Sequence, residues 1–280
     1  MAVPHLFDRR IVKLHRDRAY YYYKDIQSLN KICAERLLDR FSDVNYRFSN
    51  ALEMGGRGYI SSFLLNKGIA TISADLSQKL VSLNRSPSLS MDEEFIPFKA
   101  NSFDLVIAHF NLHWVNDLPG TLMQIRNILK PNGFFLATIP IVPTLDNLRK
   151  LLAELEIEYC NQVSSRVSAF PDLRACAVLM QRAEFSLSVV DKETIHFIYQ
   201  NAFSLMKDLQ KAGENNALNE VKKNLSDRFF AHFLRKSNEL GELSVALDFA
   251  ILTGWAPDES QSHPLKPGQY NVSLSDYFEE

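Results

Sequence analysis

Hydrophobic spacing divides the chain into stretches of different rhythm. Roughly the first fifty residues read as helical, with Ile26, Leu29, Ile32, Cys33, Leu37 and Phe41 recurring at helical spacing. Apolar runs then alternate with helical stretches. Strands are predicted at Ala51–Met54, Ala70–Ala74, Leu89–Met91, Leu105–Phe110 and Phe134–Ile139, with helices such as Tyr59–Leu65 and Leu118–Leu129 between them. This alternation predicts parallel pairing with helices on both faces. Gly68, Pro87, Pro97, Pro131 and Gly133 fall between elements, and Lys130–Gly133 reads as a helix end and turn that launch the fifth strand. After Pro143 the pattern predicts helices at Leu145–Tyr159, Leu173–Arg182, Phe203–Lys211 and Asn219–Lys236. It predicts strands at Phe185–Val190, Ile195–Tyr199 and Leu243–Thr253, then a loop from Pro257.

At 280 residues, with 46% apolar and 23% charged residues, the chain can bury a core without staples. A net charge of −2 does not indicate general attraction to nucleic acid or membrane. Cys33, Cys160 and Cys176 are far apart, which argues against a zinc site or disulfide framework and fits a reducing compartment, so a cytoplasmic location is expected. No apolar run reaches membrane-spanning length, and no metal cluster is evident among the seven histidines. The basic stretch Arg9, Arg10, Lys13, Arg16 and Arg18 reads either as a solvated helix face or as an arm that folds over a ligand pocket.

The candidate chemistry follows the strands. Leu52–Tyr59 is a glycine turn between a strand and a helix. There Gly55, Gly56 and Gly58 let the backbone approach a ligand, and N–H groups at the helix start can receive polar ligand groups. Asp75 ends the next strand, 22 residues after Glu53, near the spacing of an acid that binds ribose hydroxyls. Such hydrogen bonds contribute roughly 1.5–3 kcal/mol; the alternative is an Asp that caps the following helix. Asp92 and Glu93, after the third strand, are placed to accept from an adenine amino group, or else form a solvated acidic loop. A nicotinamide dehydrogenase would share the turn and the ribose acid but does not require this third block. His113, just past the fourth strand, is the nearest candidate general base, with pocket-floor packing as its alternative.

In combination, Glu53 with its glycines, Asp75, Asp92, Ile96-Pro97-Phe98, Ser102-Phe103-Asp104, Phe110–Val115 and Leu129–Gly133 resemble the class I methyltransferase superfamily over about residues 48–140. The resemblance implies an α/β, Rossmann-like fold with a mixed seven-stranded sheet and a helical lid insertion. It implies S-adenosyl-L-methionine as cofactor. Glu53, Gly55, Gly56 and Gly58 would hold the methionine end, Asp75 with Leu76 the ribose, and Asp92 with Glu93 the adenine, with Asn111 also lining the site. The implied organisation is an arm (1–45), a cofactor-binding core (46–142), a segment with the sixth strand and lid (143–240) and a last strand with a tail (241–280). Absence of an Asn/Asp-Pro-Pro-aromatic block, and of a suitably placed cysteine, argues against nucleic-acid methylation.

Leu6–Arg10, Arg16–Ala19, Leu112–Pro119, Met206–Gln210, Gly213-Glu214-Asn215 and Gly254-Trp255-Ala256 further resemble the complex I assembly factor 5 family of alphaproteobacteria and mitochondria. The malonyl-carrier-protein methyltransferase of biotin synthesis is a more distant likeness, and the tail Gly254–Gly268 favours the assembly-factor branch. The mitochondrial branch is linked to arginine hydroxylation on a complex I subunit. The resemblance therefore implies either a methyltransferase acting on a small molecule or protein, or an assembly factor that binds a complex I subunit, with cofactor binding weakened or put to another use. The glycine turn departs from the superfamily: one residue between Gly55 and Gly56 is missing, a deletion that either is absorbed by unusual dihedrals at both glycines or narrows the cofactor pocket and weakens binding.

Overall fold

The computed structural model describes residues 5–161, 163–220, 225–239 and 241–261. Helices α1 (Arg9–Ala19) and α2 (Tyr23–Ser42) precede β1 (Asn50–Met54), α3 (Tyr59–Asn66), β2 (Ala70–Asp75), α4 (Gln78–Val81), β3 (Ser88–Ser90) and β4 (Phe103–His109). Then come α5 (Leu118–Ile128), β5 (Leu129–Pro140), α6 (Asp146–Cys160), α7 (Leu173–Arg182), β6 (Ser186–Tyr199), α8 (Ala202–Ala212), α9 (Asp227–Glu239) and β7 (Leu243–Trp255). The strands form one seven-stranded sheet in the order β3-β2-β1-β4-β5-β7-β6. β1 to β5 are parallel, while β7 runs antiparallel to both β5 and β6. This is the Rossmann-like class I methyltransferase arrangement.

Successive strand residues alternate between two cores, as side chains of a pleated strand must. Ala51, Leu105, Ile107, Phe134, Leu136, Phe249 and Ile251 face α2 and α3. Leu52, Val106, Phe135, Ala137 and Leu252 face α5 and α7 on the opposite side. A third cluster joins α6, α8 and α9 through Leu148, Leu152, Leu205, Phe229 and Phe233 and rests on Val245 of β7. These three helices pack as one unit within the segment expected to carry the lid.

Several boundaries differ from the sequence pattern. Phe185–Val190 and Ile195–Tyr199 are one strand, β6, because it pairs with β7 along its whole length and passes an irregularity between Ser186 and Val189. Lys130–Gly133 lies inside β5: pairing with β4 jumps from Phe103–Leu129 to Leu105–Phe134, so the turn protrudes as a bulge. The helix expected over Asn219–Lys236 starts at Asp227. Leu218, just before it, bridges Phe7; residues 221–224 lie outside the described set, as do residues 262–280 of the expected tail loop.

Phe135 is fully buried and stacks on Phe185 with centroids 5.1 Å apart. Phe135→Ala is expected to cost about 3–5 kcal/mol by the cavity it leaves. Equilibrium denaturation measures this, and a loss below about 1 kcal/mol would contradict the packing described.

Candidate active site

The parallel strands deliver their carboxyl ends to one edge of the sheet, where α/β folds bind ligands. Glu53 lies near the end of β1, Asp75 ends β2, and Asp92 and Glu93 follow β3. Glu53, Asp75 and Glu93 are buried, while Asp92 keeps a quarter of its side chain exposed. Burial pushes Glu53 up to about 7, with hydrogen bonds from Ser73 and from the Gly56 N–H opposing the rise and Asp75 adding to it. Asp75 Oδ1 accepts the Ser77 N–H at 2.7 Å.

The shortened turn is accommodated by Gly55 at φ +80° and Gly58 at φ +90°, with Arg57 between them at φ +48°. Gly56, expected to share the strain, is not left-handed. It is tight for another reason: a Cβ there would collide with the Glu53 carboxylate that its own N–H contacts. At Gly55 a Cβ would collide with the His109 carbonyl, and at Gly58 it would lie 2.9 Å from the Leu83 carbonyl. The Gly55 N–H donates to Ala74 O at 3.3 Å.

Helix α1 lies across these acids. Its inner stripe is Arg9, Val12, Arg16 and Ala19, at helical spacing, and Arg16 is only 3% exposed. Arg16 Nη1 pairs with Glu93 and lies 3.5 Å from Asp75, while Nη2 donates to Asn111 O at 3.3 Å. Arg9 pairs with Glu93, donates to Asp92 at 2.6 Å and donates to Trp114 O at 2.9 Å. Burial alone would raise Glu93, but Arg16 and Arg9 outweigh it and hold the carboxyl below its ordinary value. At Asp75 burial dominates and raises the carboxyl, with Arg16 opposing. The solvated-face reading of the basic stretch therefore fails for Arg9 and Arg16 and holds for Arg10, whose side chain is 92% exposed. Arg9 and Arg16 are separated by two helical turns, the signal by which sequence could have found them.

Past β4, a short 3₁₀ turn (Leu112–Trp114) presents His113 and Trp114. Glu214 Oε2 accepts from His113 Nε2 at 2.8 Å and from Trp114 Nε1 at 2.9 Å, and Arg57 lies 3.6 Å from its other oxygen. Burial would raise Glu214, but His113 and Arg57 bring it down to about 2 and keep it an anion. His113 Nδ1 is buried with no hydrogen-bond partner. Both His113 and Arg57 line a cavity of about 390 Å³ under α2, α6 and α8. Sequence reasoning did not assign Glu214 or Arg57 a role in the site, and gave Arg9 and Arg16 one only as part of an arm that folds over a ligand pocket.

Of the sequence-predicted residues, Asp75, Glu93 and Asn111 come together around Arg16, Asp92 joins through Arg9, and Glu53 interacts with Asp75 rather than with either arginine. Leu76 packs against the cluster of Phe7, Val12, Trp114 and Leu218. Asn111 Oδ1 is a buried acceptor without a partner. This set of strand-end acids and one orphaned polar atom fits a ligand that donates hydroxyl and amino protons, as S-adenosylmethionine does. Among the described residues no group of His, Cys, Asp and Glu could hold a metal ion, and no helix is long and apolar enough to cross a membrane.

Arg16→Ala leaves Asp75 and Glu93 buried without their shared cation and is expected to cost about 3–5 kcal/mol at neutral pH. Glu93 has its ordinary value of 4.5 when unfolded and a lower one when folded, so its contribution is present above 4.5 and is lost as pH falls through the folded value. The gap between wild type and variant should therefore narrow in acid; a gap independent of pH would refute the pairing. Glu53 has the opposite sign. Its folded value of about 7 against 4.5 means stability falls as pH rises between them, on the order of 3 kcal/mol. Glu53→Gln should abolish that slope in thermal denaturation across this window, and an unchanged slope would assign it elsewhere.

Residues 52–137 match the family described as "Methyltransferase domain". The chain is 36% identical over 260 residues to human "Arginine-hydroxylase NDUFAF5, mitochondrial", covering 89% of this chain and 75% of that one. It is 26% identical over 299 residues to the malonyl-[acyl-carrier protein] O-methyltransferase of Methylovorus, covering 98% of each. Among solved structures, a phosphoethanolamine N-methyltransferase 2 of Haemonchus contortus in complex with S-adenosyl-L-methionine superimposes with a TM-score of 0.50 at 12% identity, covering 85% of this chain and 57% of that one. The chain belongs to the family of the arginine-hydroxylase NDUFAF5 proteins, within the class I, S-adenosylmethionine-dependent methyltransferases.

Proposed function

We propose that the chain transfers a methyl group to an acceptor held in the cavity beside His113, with His113 as general base. The observation that carries this reading is the His113–Glu214 pair. Glu214 takes the Nε2 proton, so in the neutral ring Nδ1 bears the lone pair, and that buried atom has no partner. S-adenosylmethionine supplies an activated methyl group on a sulfonium. Asp75 accepts the ribose hydroxyls, Glu53 and the Gly55–Gly58 turn take the methionine end, and Asp92 and Glu93 the adenine. The hydroxyls take over the contact that Arg16 makes with Asp75. Holding acceptor and methyl in line supplies roughly 7–11 kcal/mol of the barrier, and α6, α8 and α9 exclude water from the acceptor.

A second reading has one observation in its favour. Arg16 and Arg9 already neutralise the acids assigned to the cofactor, which lowers the gain from binding it. In that reading the chain binds a complex I subunit during assembly, as the family resemblance implies, and loss of the gene lowers assembled complex I. We place the protein in the cytoplasm on its cysteine usage; Cys33 and Cys176 are buried and free.

Calorimetry with S-adenosylmethionine and S-adenosylhomocysteine decides between the readings. Binding of at least one is expected, and no binding at millimolar excess would sink the methyltransferase reading. Asp75→Asn should weaken binding about tenfold or more, through lost charge-assisted hydrogen bonds. His113→Ala should lower kcat by roughly 10²–10⁴ with cofactor affinity kept; an unchanged kcat would return His113 to packing.

A further inference from the structure

Asp75, Glu93 and Asn111 are buried, and so is Arg16, whose guanidinium lies among them. None of Asp75, Asp92 and Glu93 lines the cavity beside His113. A cofactor that takes these groups therefore reaches them only after something moves, and the element that lies across them is α1.

The way α1 is held makes it the part that can yield. Its buried apolar side chains are Val12 and Ala19, whereas α2 buries Ile26, Cys33, Ala34, Leu37, Leu38 and Phe41. Burial of so little apolar surface gives α1 a weak apolar hold on the core. Much of its attachment is polar. Arg9 and Arg16 pair with the acids, and Asp17 Oδ1 accepts from Ser77 Oγ at 2.6 Å, two residues past Asp75. α1 joins α2 through a 3₁₀ turn, Tyr20–Tyr22, whose three tyrosines are exposed. A 3₁₀ stretch between two helices is a common place for a hinge. At the other end Phe7 bridges Leu218: the Asp8 N–H donates to Ala217 O at 2.9 Å and the Asn219 N–H to Leu6 O at 2.8 Å.

We infer that α1 is an internal competitor of the cofactor. In the closed chain Arg16 and Arg9 occupy Asp75, Asp92 and Glu93, and S-adenosylmethionine enters by displacing the helix about the Tyr20–Tyr22 turn. This rests on the reading that assigns these acids to the cofactor. Two guanidiniums and three carboxylates set the closed state, with Glu93 shared by both arginines. A ligand that binds only the open form has its apparent affinity lowered by the fraction of chains that are open. Anything that holds the arm down weakens binding, and anything that frees it strengthens binding.

A disulfide across the Phe7–Leu218 bridge tests this. The two backbone hydrogen bonds flank the pair instead of joining it, which is the narrow pairing of an antiparallel bridge, with Cα atoms about 4.5 Å apart. That spacing lies within the range a disulfide spans. The full chain carrying Phe7→Cys and Leu218→Cys is titrated calorimetrically with S-adenosylhomocysteine, oxidised and reduced, with the wild-type chain as the control for both conditions. Thiol titration confirms the bond, and thermal denaturation the fold. Phe7→Cys removes the ring that packs on Trp114 in both forms alike, so comparing them cancels that loss. Reduction is expected to tighten binding at least tenfold. In the wild-type chain, hydrogen exchange at the α1 amides is expected to speed up when S-adenosylhomocysteine saturates the site. Equal affinity of the oxidised and reduced forms, or exchange at α1 that is unchanged or slower with ligand bound, overturns the displacement and leaves the cofactor reading standing. No binding by the wild-type chain or by either form of the variant overturns both.

Discussion

The structure turns on one electrostatic constraint: carboxylates buried side by side at the carboxyl edge of a parallel sheet need a cation among them. Arg16 supplies it, bonded to Glu93 and within 3.5 Å of Asp75. Desolvating such a group costs several kcal/mol, which only close pairing recovers. The cation comes from α1, at the opposite end of the sequence from the lid, and this fastens the arm to the core. The same seating brings Phe7 against Trp114 and pairs the backbone around it with Ala217 and Leu218. Glu214 lies just ahead of that paired segment, so the arm that neutralises the strand-end acids also helps position the carboxylate bonded to His113.

The glycine turn links the two halves of the site. With one residue fewer than its superfamily counterpart, it places left-handed backbone at Gly55 and Gly58 and, between them, at Arg57. A non-glycine residue there is strained, and its side chain is well held: Arg57 donates to Ala212 O and faces Glu214. The shortened turn therefore reaches away from the acids it flanks and into the wall of the cavity beside His113. Its N–H groups at Gly55 and Gly56 are engaged by Ala74 and Glu53.

The fold was legible because it rests on local signals. Short continuous apolar runs such as Leu105–Ile107 and Phe134–Leu136, breakers such as Gly68, and acids following successive strands all report on neighbours close in sequence. What was not legible depends on contacts across the chain. Glu214 stands 101 residues from His113, and nothing in Gly213-Glu214-Asn215 marks it as the partner of a histidine. Arg16 stands 59 residues from Asp75. Its charge argued for solvent, yet its register with Val12 and Ala19 placed it on the buried stripe. The strands of the β6–β7 pair were misdivided because β6 is an edge strand with half-exposed alternation, where pairing with β7 rather than burial decides its length.

Two glutamates at this edge show how environment assigns chemistry to one residue type. Glu53 faces burial and a neighbouring acid, and its carboxyl rises to about 7; Glu214 faces a histidine, an arginine and an indole N–H, and its carboxyl falls to about 2. The first can exchange a proton near neutrality and so can adapt to a ligand that brings either a cation or a hydroxyl. The second is fixed as an anion and can only hold its neighbours in place. Divergence of this kind between two carboxyls separates a group that responds to ligand from a group that orients a base. It leaves the end of β1 with charge that is still adjustable, and the wall of the cavity beside His113 with charge already balanced.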